Sequence, residues 1–208
     1  MKKFFISVAV ATVALFSANA QDLKFGVKAG VNFATLSIPE YTQSGANVKI
    51  ETGFRTGFHV GAFVEYGVSD VLFLEGGLAY NNVGGTLKSV EVNSPLGKRK
   101  TDLKDASFVL HTLNMPLWVK YDIAGFRPKA GINLGGLLAV TEKQDGKSET
   151  LEPEKRFDLG LGIGAEYNLP MGLFFDATFN LGLLNLATEN SATSIKNRVI
   201  QIGVGYKF

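Results

Sequence analysis

Apolar and polar residues alternate with a period of two through eight separate segments of the 208-residue chain. Successive side chains on an extended strand point to opposite faces, so this period predicts strands and excludes amphipathic helices, whose apolar residues recur every three or four positions. The segments are 24–36, 54–66, 72–82, 108–122, 126–138, 157–167, 173–183 and 200–208. In the first, Phe25, Val27, Ala29, Val31 and Phe33 oppose Gly26, Lys28, Gly30, Asn32 and Ala34. In the sixth, Phe157, Leu159, Leu161, Ile163 and Tyr167 oppose Asp158, Gly160, Gly162, Gly164 and Glu166. Lengths of about 10 to 14 residues match what a tilted strand needs to cross a bilayer.

Period alone does not say which face is inside, since a soluble eight-stranded barrel alternates in the same way with its apolar face inward. Here the apolar face carries large side chains at nearly every position, more than the interior of eight strands can hold. The opposite face is rich in glycine, including Gly26, Gly30, Gly61, Gly131, Gly162 and Gly205, which a narrow closed interior needs and a solvated surface does not. The expected fold is therefore all-β: an eight-stranded antiparallel up-and-down transmembrane β-barrel, apolar side to lipid. A soluble secreted barrel is the fold alternative.

Connection lengths agree with that orientation. Gaps at 37–53, 88–107, 141–156 and 186–197 are long and polar, whereas 67–71, 123–125 and 168–172 are short. Long and short connections fall at opposite ends, the pattern of extracellular loops and periplasmic turns. At the short-turn end Phe25, Tyr66, Tyr121, Phe126, Tyr167, Phe175, Tyr206 and Phe208 all take the outward phase, as in the aromatic girdle of a membrane interface. Pro116 and Pro128 fall inside adjacent strands and each removes a ladder donor, which predicts a bulge or a loss of pairing near the periplasmic rim.

The N-terminus supplies the address. Met1-Lys2-Lys3, an apolar run from Phe4 to Phe16 and Ala18-Asn19-Ala20 read as a cleaved secretory signal peptide over 1–20, with the barrel domain over 21–208. The run is too short to span a bilayer as a helix. Without Lys2 and Lys3 the 21 basic residues fall to 19, against 19 acidic, which disfavours nucleic acid as a partner. No cysteine is present, so thiol nucleophiles, thiolate metal sites and an acylated N-terminal cysteine are excluded.

The segments Ala18-Asn19-Ala20-Gln21, Gly26-Val27-Lys28-Ala29-Gly30-Val31-Asn32, Leu113-Asn114-Met115-Pro116-Leu117-Trp118-Val119-Lys120-Tyr121 and Tyr206-Lys207-Phe208 resemble the Bacteroidota outer-membrane β-barrel family often called the PorT family. The resemblance spans the mature chain. It implies an integral outer-membrane location in a Gram-negative bacterium, and the namesake's part in protease secretion through the type IX system suggests an envelope or secretion protein as partner. Phe208 resembles the C-terminal aromatic signal recognised by the barrel-assembly machinery. The resemblance carries over no catalytic residue.

Chemistry is sought first in the lumen. Lys28, Arg55, Lys120, Arg127, Lys129 and Lys207 face inward with Glu65, Glu75, Asp122, Asp158, Glu166 and Asp176, six of each sign. Unpaired charge in a confined interior is costly, so the expectation is a mutually neutralised plug, with a small-ion or proton path as the rival. Lys24 and Arg156 share the phase at the strand ends and are expected to be solvated. His59 faces inward, and His111 faces outward near the extracellular rim. Ser107 stands four residues before His111, which on a strand means roughly 13 Å, too far for a Ser–His pair. Gly160-Leu161-Gly162-Ile163-Gly164 lacks the spacing of a nucleotide loop. No catalytic residue, cofactor or metal is expected.

The loops are the other candidates, because binding residues concentrate on exposed connections of a rigid scaffold. Lys98, Arg99 and Lys100, flanked by Lys88 and Lys104, with Arg198 at the top of the last strand, are candidate contacts for lipopolysaccharide phosphates. A plain solvated charged loop is the alternative. The third loop, with Glu142, Asp145, Glu149, Glu152 and Glu154 among Lys143, Lys147 and Lys155, is near balance and expected to be mobile. The function expected is a non-enzymatic structural or loop-displaying barrel. An accessory component of a secretion assembly, a narrow solute pore and a lipid-modifying enzyme are its rivals.

Overall fold

The computed structural model describes residues 23–43, 45–95, 97–144, 147–153, 156–186 and 193–208. The signal peptide expected at 1–20 lies outside the described residues, as do Asp145, Glu154, Lys155 and the side chains of Lys104 and Asp105.

Strands run in the order β1 (Leu23–Ser37), β2 (Tyr41–Gln43), β3 (Ala46–Gly53), β4 (Arg55–Gly67), β5 (Leu72–Ser94), β6 (Gly97–Tyr121), β7 (Phe126–Gln144), β8 (Lys147–Leu151), β9 (Phe157–Asn168), β10 (Leu173–Gly182) and β11 (Lys196–Lys207). Eight of them form an antiparallel ring in the order β1, β4, β5, β6, β7, β9, β10, β11. The ring closes by pairing β11 back on β1, from Gly26 opposite Lys207 to Ser37 opposite Lys196. Closure leaves the spanning wall without an edge, which the hydrocarbon of a bilayer requires.

Alternation does set the two faces. Val27, Val31, Val60, Leu78, Leu117, Ile163 and Ile202 are exposed on the outside, while Asn32, His59, Glu65, Glu75, Trp118, Lys120 and Glu166 are buried inside. The eight girdle aromatics are all exposed at the short-turn end. Lys24 and Arg156 are exposed.

The interior is narrow enough that its glycines are load points for rings. Trp118 packs across Gly131 and Gly162. A Cβ at Gly162 would come within 2.3 Å of the indole edge, and one at Gly131 within 2.8 Å. Phe63 covers Gly26 and Phe174 covers Gly205 in the same way, and the two phenyl rings meet edge to face at 5.7 Å. The small residues of the inward face thus exist to admit three large ones.

Both prolines interrupt a ladder. Pairing of β5 with β6 stops after Gly76–Leu117 and resumes at Ala79–Asn114 in unchanged register, so Pro116 opens the ladder without shifting it. The β6–β7 ladder ends at Lys120–Lys129, one pair short of Pro128, and reappears only as the bridge Ile123–Phe126. True register shifts lie elsewhere, between Glu51 and Thr52, Leu87 and Ser89, and His111 and Thr112.

The long connections depart from expectation. Strands β5, β6 and β7 run far past the membrane-crossing segments, and β2, β3 and β8 pair beside them, so 41–53, 88–107 and 141–151 are largely sheet and not loops. The ladders supply the reason: Val48 pairs with Val92, Ile50 with Val90, and Lys49, Glu91 and Lys100 line up as a row of alternating charge. Cross-strand apolar and opposite-charge pairs of this kind stabilise a sheet in water.

Candidate functional site: a sealed lumen beneath an extracellular sheet

Three tiers fill the lumen. The periplasmic tier is an ion-pair network centred on the fully buried Lys120. Its Nζ donates to Glu65 (2.8 Å), Glu75 (2.5 Å) and Glu166 (2.7 Å), one residue from each of β4, β5 and β9. Lys207 on β11 bridges Glu65 at 2.8 Å and Glu166 at 2.5 Å, Lys28 on β1 pairs with Glu75 at 2.8 Å, and Arg127 joins Glu65 to Asp122. Lys129 and Asp176 form a separate buried pair. Phe63 lies under Lys120 and Lys28, with its ring centre 5.5 and 5.4 Å from the two ammonium groups.

Ten of the twelve inward charges therefore meet, five of each sign. The other two do not join. Arg55 sits higher and donates to the Val83 carbonyl at 3.2 Å, and Asp158 makes no ion pair among the described residues. Both lie toward the extracellular end, beyond the reach of the cluster's partners. Glu65, Glu75 and Glu166 bring oxygens within 4.8 Å of one another, the convergence a metal site would need. Lys120 Nζ occupies the centre of that tripod, so the ammonium does the work a cation would do.

The middle tier is lined mainly by amides. Gln201 Nε2 donates to Asn32 and Asn81, each at 2.9 Å, and His59 Nδ1 donates to the same Asn32 oxygen at 2.7 Å. His59 is thus a packed lumen residue held by one amide. A cavity of about 40 Å³ remains beside Thr112, Asn114, Asp158, Asn180 and Asn197.

The top tier is apolar, and the sequence reading missed it. Ala34, Leu36, Val83, Leu110, Leu137 and Val199 form a buried cluster across five strands, with Ile38, Phe108, Val140, Leu186 and Ile195 packed on it. The available signal was a change of character within the inward phase: Lys28, Gly30 and Asn32 give way to Ala34 and Leu36 as β1 nears its extracellular end.

At the outer rim His111 faces outward on β6, and its Nδ1 shares a hydrogen bond with the Tyr80 hydroxyl at 2.6 Å. Ser107 pairs across the sheet with Thr86 and Lys143, two rows above the His111 row, so no Ser–His pair forms.

The four residues considered for lipopolysaccharide are not brought together. Lys98, Arg99 and Lys100 stand at the tip of the β5–β6 hairpin, where Lys98 pairs with Glu91 at 2.6 Å and Lys100 with Glu51 at 3.1 Å. Arg198 is exposed on β11, four strands round the ring from β6. Ser89 donates to Glu51 at 2.8 Å, and this bond with the adjacent Lys100 holds the Glu51 carboxyl below its usual range. The same contact raises the Lys100 ammonium, and Lys98 lowers Glu91.

A closed eight-stranded ring, apolar outside and ion-paired within, is the architecture of a small membrane barrel. The family model for the outer membrane protein beta-barrel domain matches residues 6–208. The chain belongs to that family. Its place is the outer membrane, as an integral protein, and its exposed apolar belt is the lipid-facing surface. Among solved structures it is similar to Neisserial surface protein A, with 18% identity over 88% of this chain and 97% of that one and a TM-score of 0.53. It is also similar to Ail, the attachment invasion locus protein of Yersinia pestis, with 15% identity over 90% and 100% of the two chains and a TM-score of 0.49. No curated protein sequence matches significantly. The family match establishes the location, and the likeness to Neisserial surface protein A agrees with the fold.

Proposed function

We propose that this outer-membrane barrel is a non-conducting, non-enzymatic scaffold whose task is to hold an extracellular β-sheet at the cell surface. One observation carries the reading: the lumen is filled by an ion-pair network below and an apolar plug above, while β5, β6 and β7 continue well beyond the rim and recruit β2, β3 and β8. A pore would need the first feature to be absent, and a passive membrane filler has no use for the second. In this reading the belt and girdle contact outer-membrane lipid, Arg198 and other cations at the rim contact lipopolysaccharide, and the C-terminal strand ending at Phe208 is read by the barrel-assembly machinery. The tip residues Lys98, Arg99 and Lys100 belong to a binding surface farther out.

The sequence resemblance to the PorT family supports a second reading, that of an accessory component of a secretion or envelope assembly. The test is purification of the mature protein from native outer membranes in mild detergent, beside a variant with the β5–β6 hairpin cut back to the rim, combined with planar-bilayer conductance. Silent bilayers and an extracellular partner lost with the hairpin are the expected outcome. Steady unitary conductance overturns the scaffold reading, and a stoichiometric partner that survives the truncation moves the role to the periplasmic turns.

A further inference from the structure

Above the lipid belt, among the described residues, the barrel strands continue outward as a sheet on one side, and there the sheet stands at the height of the outer-leaflet headgroups. Cross-strand register gives the rows of that outward face in order: Asn82–His111–Ala139, then Gly84–Val109–Thr141, then Thr86–Ser107–Lys143–Ser148. In the middle row Gly84 and Val109 are buried, so that row is packed and the open surface begins above it. The Gly84 φ is +129°, and a Cβ there would strike the Phe108 carbonyl at 2.0 Å, so only glycine fits.

Above that row is a groove of about 770 Å³ whose floor is the apolar Leu87, Leu103 and Ala106 and whose polar lining is Thr86, Ser107 and Ser148 with Lys88, Lys143 and Lys147. None of these lysines forms an ion pair among the described residues, in contrast to Lys98 and Lys100 at the hairpin tip. The described acids of the neighbouring hairpin, Glu142 and Glu149, are on the other face: Glu142 pairs with Glu149 and with Phe108, which packs on the apolar plug. Four residues separate Ser107 from His111, about 13 Å along the strand and about 10 Å along the normal for a strand tilted near 40°. That is the depth of a headgroup layer above an interfacial tyrosine–histidine pair.

We propose that this face seats the phosphate groups of an outer-leaflet glycolipid, with Lys88, Lys143 and Lys147 as the cations and Thr86, Ser107 and Ser148 as hydroxyl donors. Hydroxyls and ammonium groups that no carboxylate pairs with among the described residues are the donor set that phosphate oxygens take up. This assignment rests on the lipopolysaccharide contact put forward above and names Lys88, Lys143 and Lys147 at the base of the sheet as the cations that join Arg198 in it.

The experiment is native mass spectrometry of the detergent-purified full barrel, titrated with bisphosphorylated lipid A, with enzymatically dephosphorylated lipid A, and with inorganic phosphate as competitor. The expected result is retention of the phosphorylated form, at least tenfold weaker binding of the dephosphorylated form, and no displacement by millimolar phosphate. A K88Q/K143Q/K147Q variant, shown folded by its heat-shifted gel mobility, is expected to lose that preference, and K98Q/R99Q/K100Q to keep it. Equal binding of the two lipids, an unchanged K88Q/K143Q/K147Q variant, or displacement by free phosphate overturns the proposal. The bilayer conductance test is independent of all three, so failure here leaves the scaffold reading standing.

Discussion

Replacing Lys120 by methionine removes the hub of the lumen network and leaves its shape nearly unchanged. Removing one partner of a buried ion pair generally costs about 3–5 kcal/mol, because the remaining charge is left uncompensated in a low-dielectric site. Here each of the three carboxylates keeps a second cation: Glu75 has Lys28, Glu166 has Lys207, and Glu65 has both Arg127 and Lys207. The cost therefore falls at the low end, about 3 kcal/mol, roughly a hundredfold in the folded-to-unfolded ratio. Five acids then face four bases, so a Lys120→Met/Glu166→Gln double variant restores neutrality and is expected to recover about 1–2 kcal/mol. Equilibrium guanidinium unfolding in lipid vesicles measures both, with Trp118, the chain's single tryptophan, as the reporter inside the same lumen. A Lys120→Met protein within about 1 kcal/mol of wild type would refute the network as a stabilising element. A double variant weaker than the sum of the two single changes would refute the charge-balance argument.

The remaining predictions concern the outer wall and the sheet. Ile163 is 64% exposed on the lipid face near the middle of β9, so Ile163→Arg is expected to cost about 2–4 kcal/mol in the same unfolding assay. Thr150→Arg, on the exposed β8, should cost almost nothing, and equal effects at the two sites would invert the assignment of faces. Glu51, whose carboxyl is held below its ordinary value of 4.5 by Ser89 and Lys100, contributes support that is complete above that value and is lost as pH falls through the depressed one. Lys100 is raised above 10.5, so its share is complete below that value and lost as pH rises through the higher one. Amide protection in β3 and β5 should therefore be flat between these limits and fall in acid, and Glu51→Gln should abolish the acid fall. A fall of the same size in Glu51→Gln would assign the effect to other groups.

Much of this molecule is written in its period-two pattern. A strand side chain has only two faces to choose from, so apolar residues at alternate positions name the lipid face, the glycines name the narrow interior, and short against long connections name the two ends. Eight strands, the aromatic girdle, the places where Pro116 and Pro128 interrupt pairing, and the inward phase of all twelve charges follow from that local geometry. Which charges meet does not. Lys120 finds Glu65, Glu75 and Glu166 because ring closure brings β4, β5, β6 and β9 around one axis, and the same closure leaves Arg55 and Asp158 stranded nearer the other end. The apolar plug is likewise a sum over five strands, each giving one or two residues too few to read as a core on their own. The extracellular sheet was hidden for the opposite reason: in water both faces of a strand tolerate polar side chains, so alternation fades although the backbone pairing continues. The chain by itself fixed a barrel and its orientation in the membrane; the closed lumen and the one-sided outer sheet exist only where distant strands share a register.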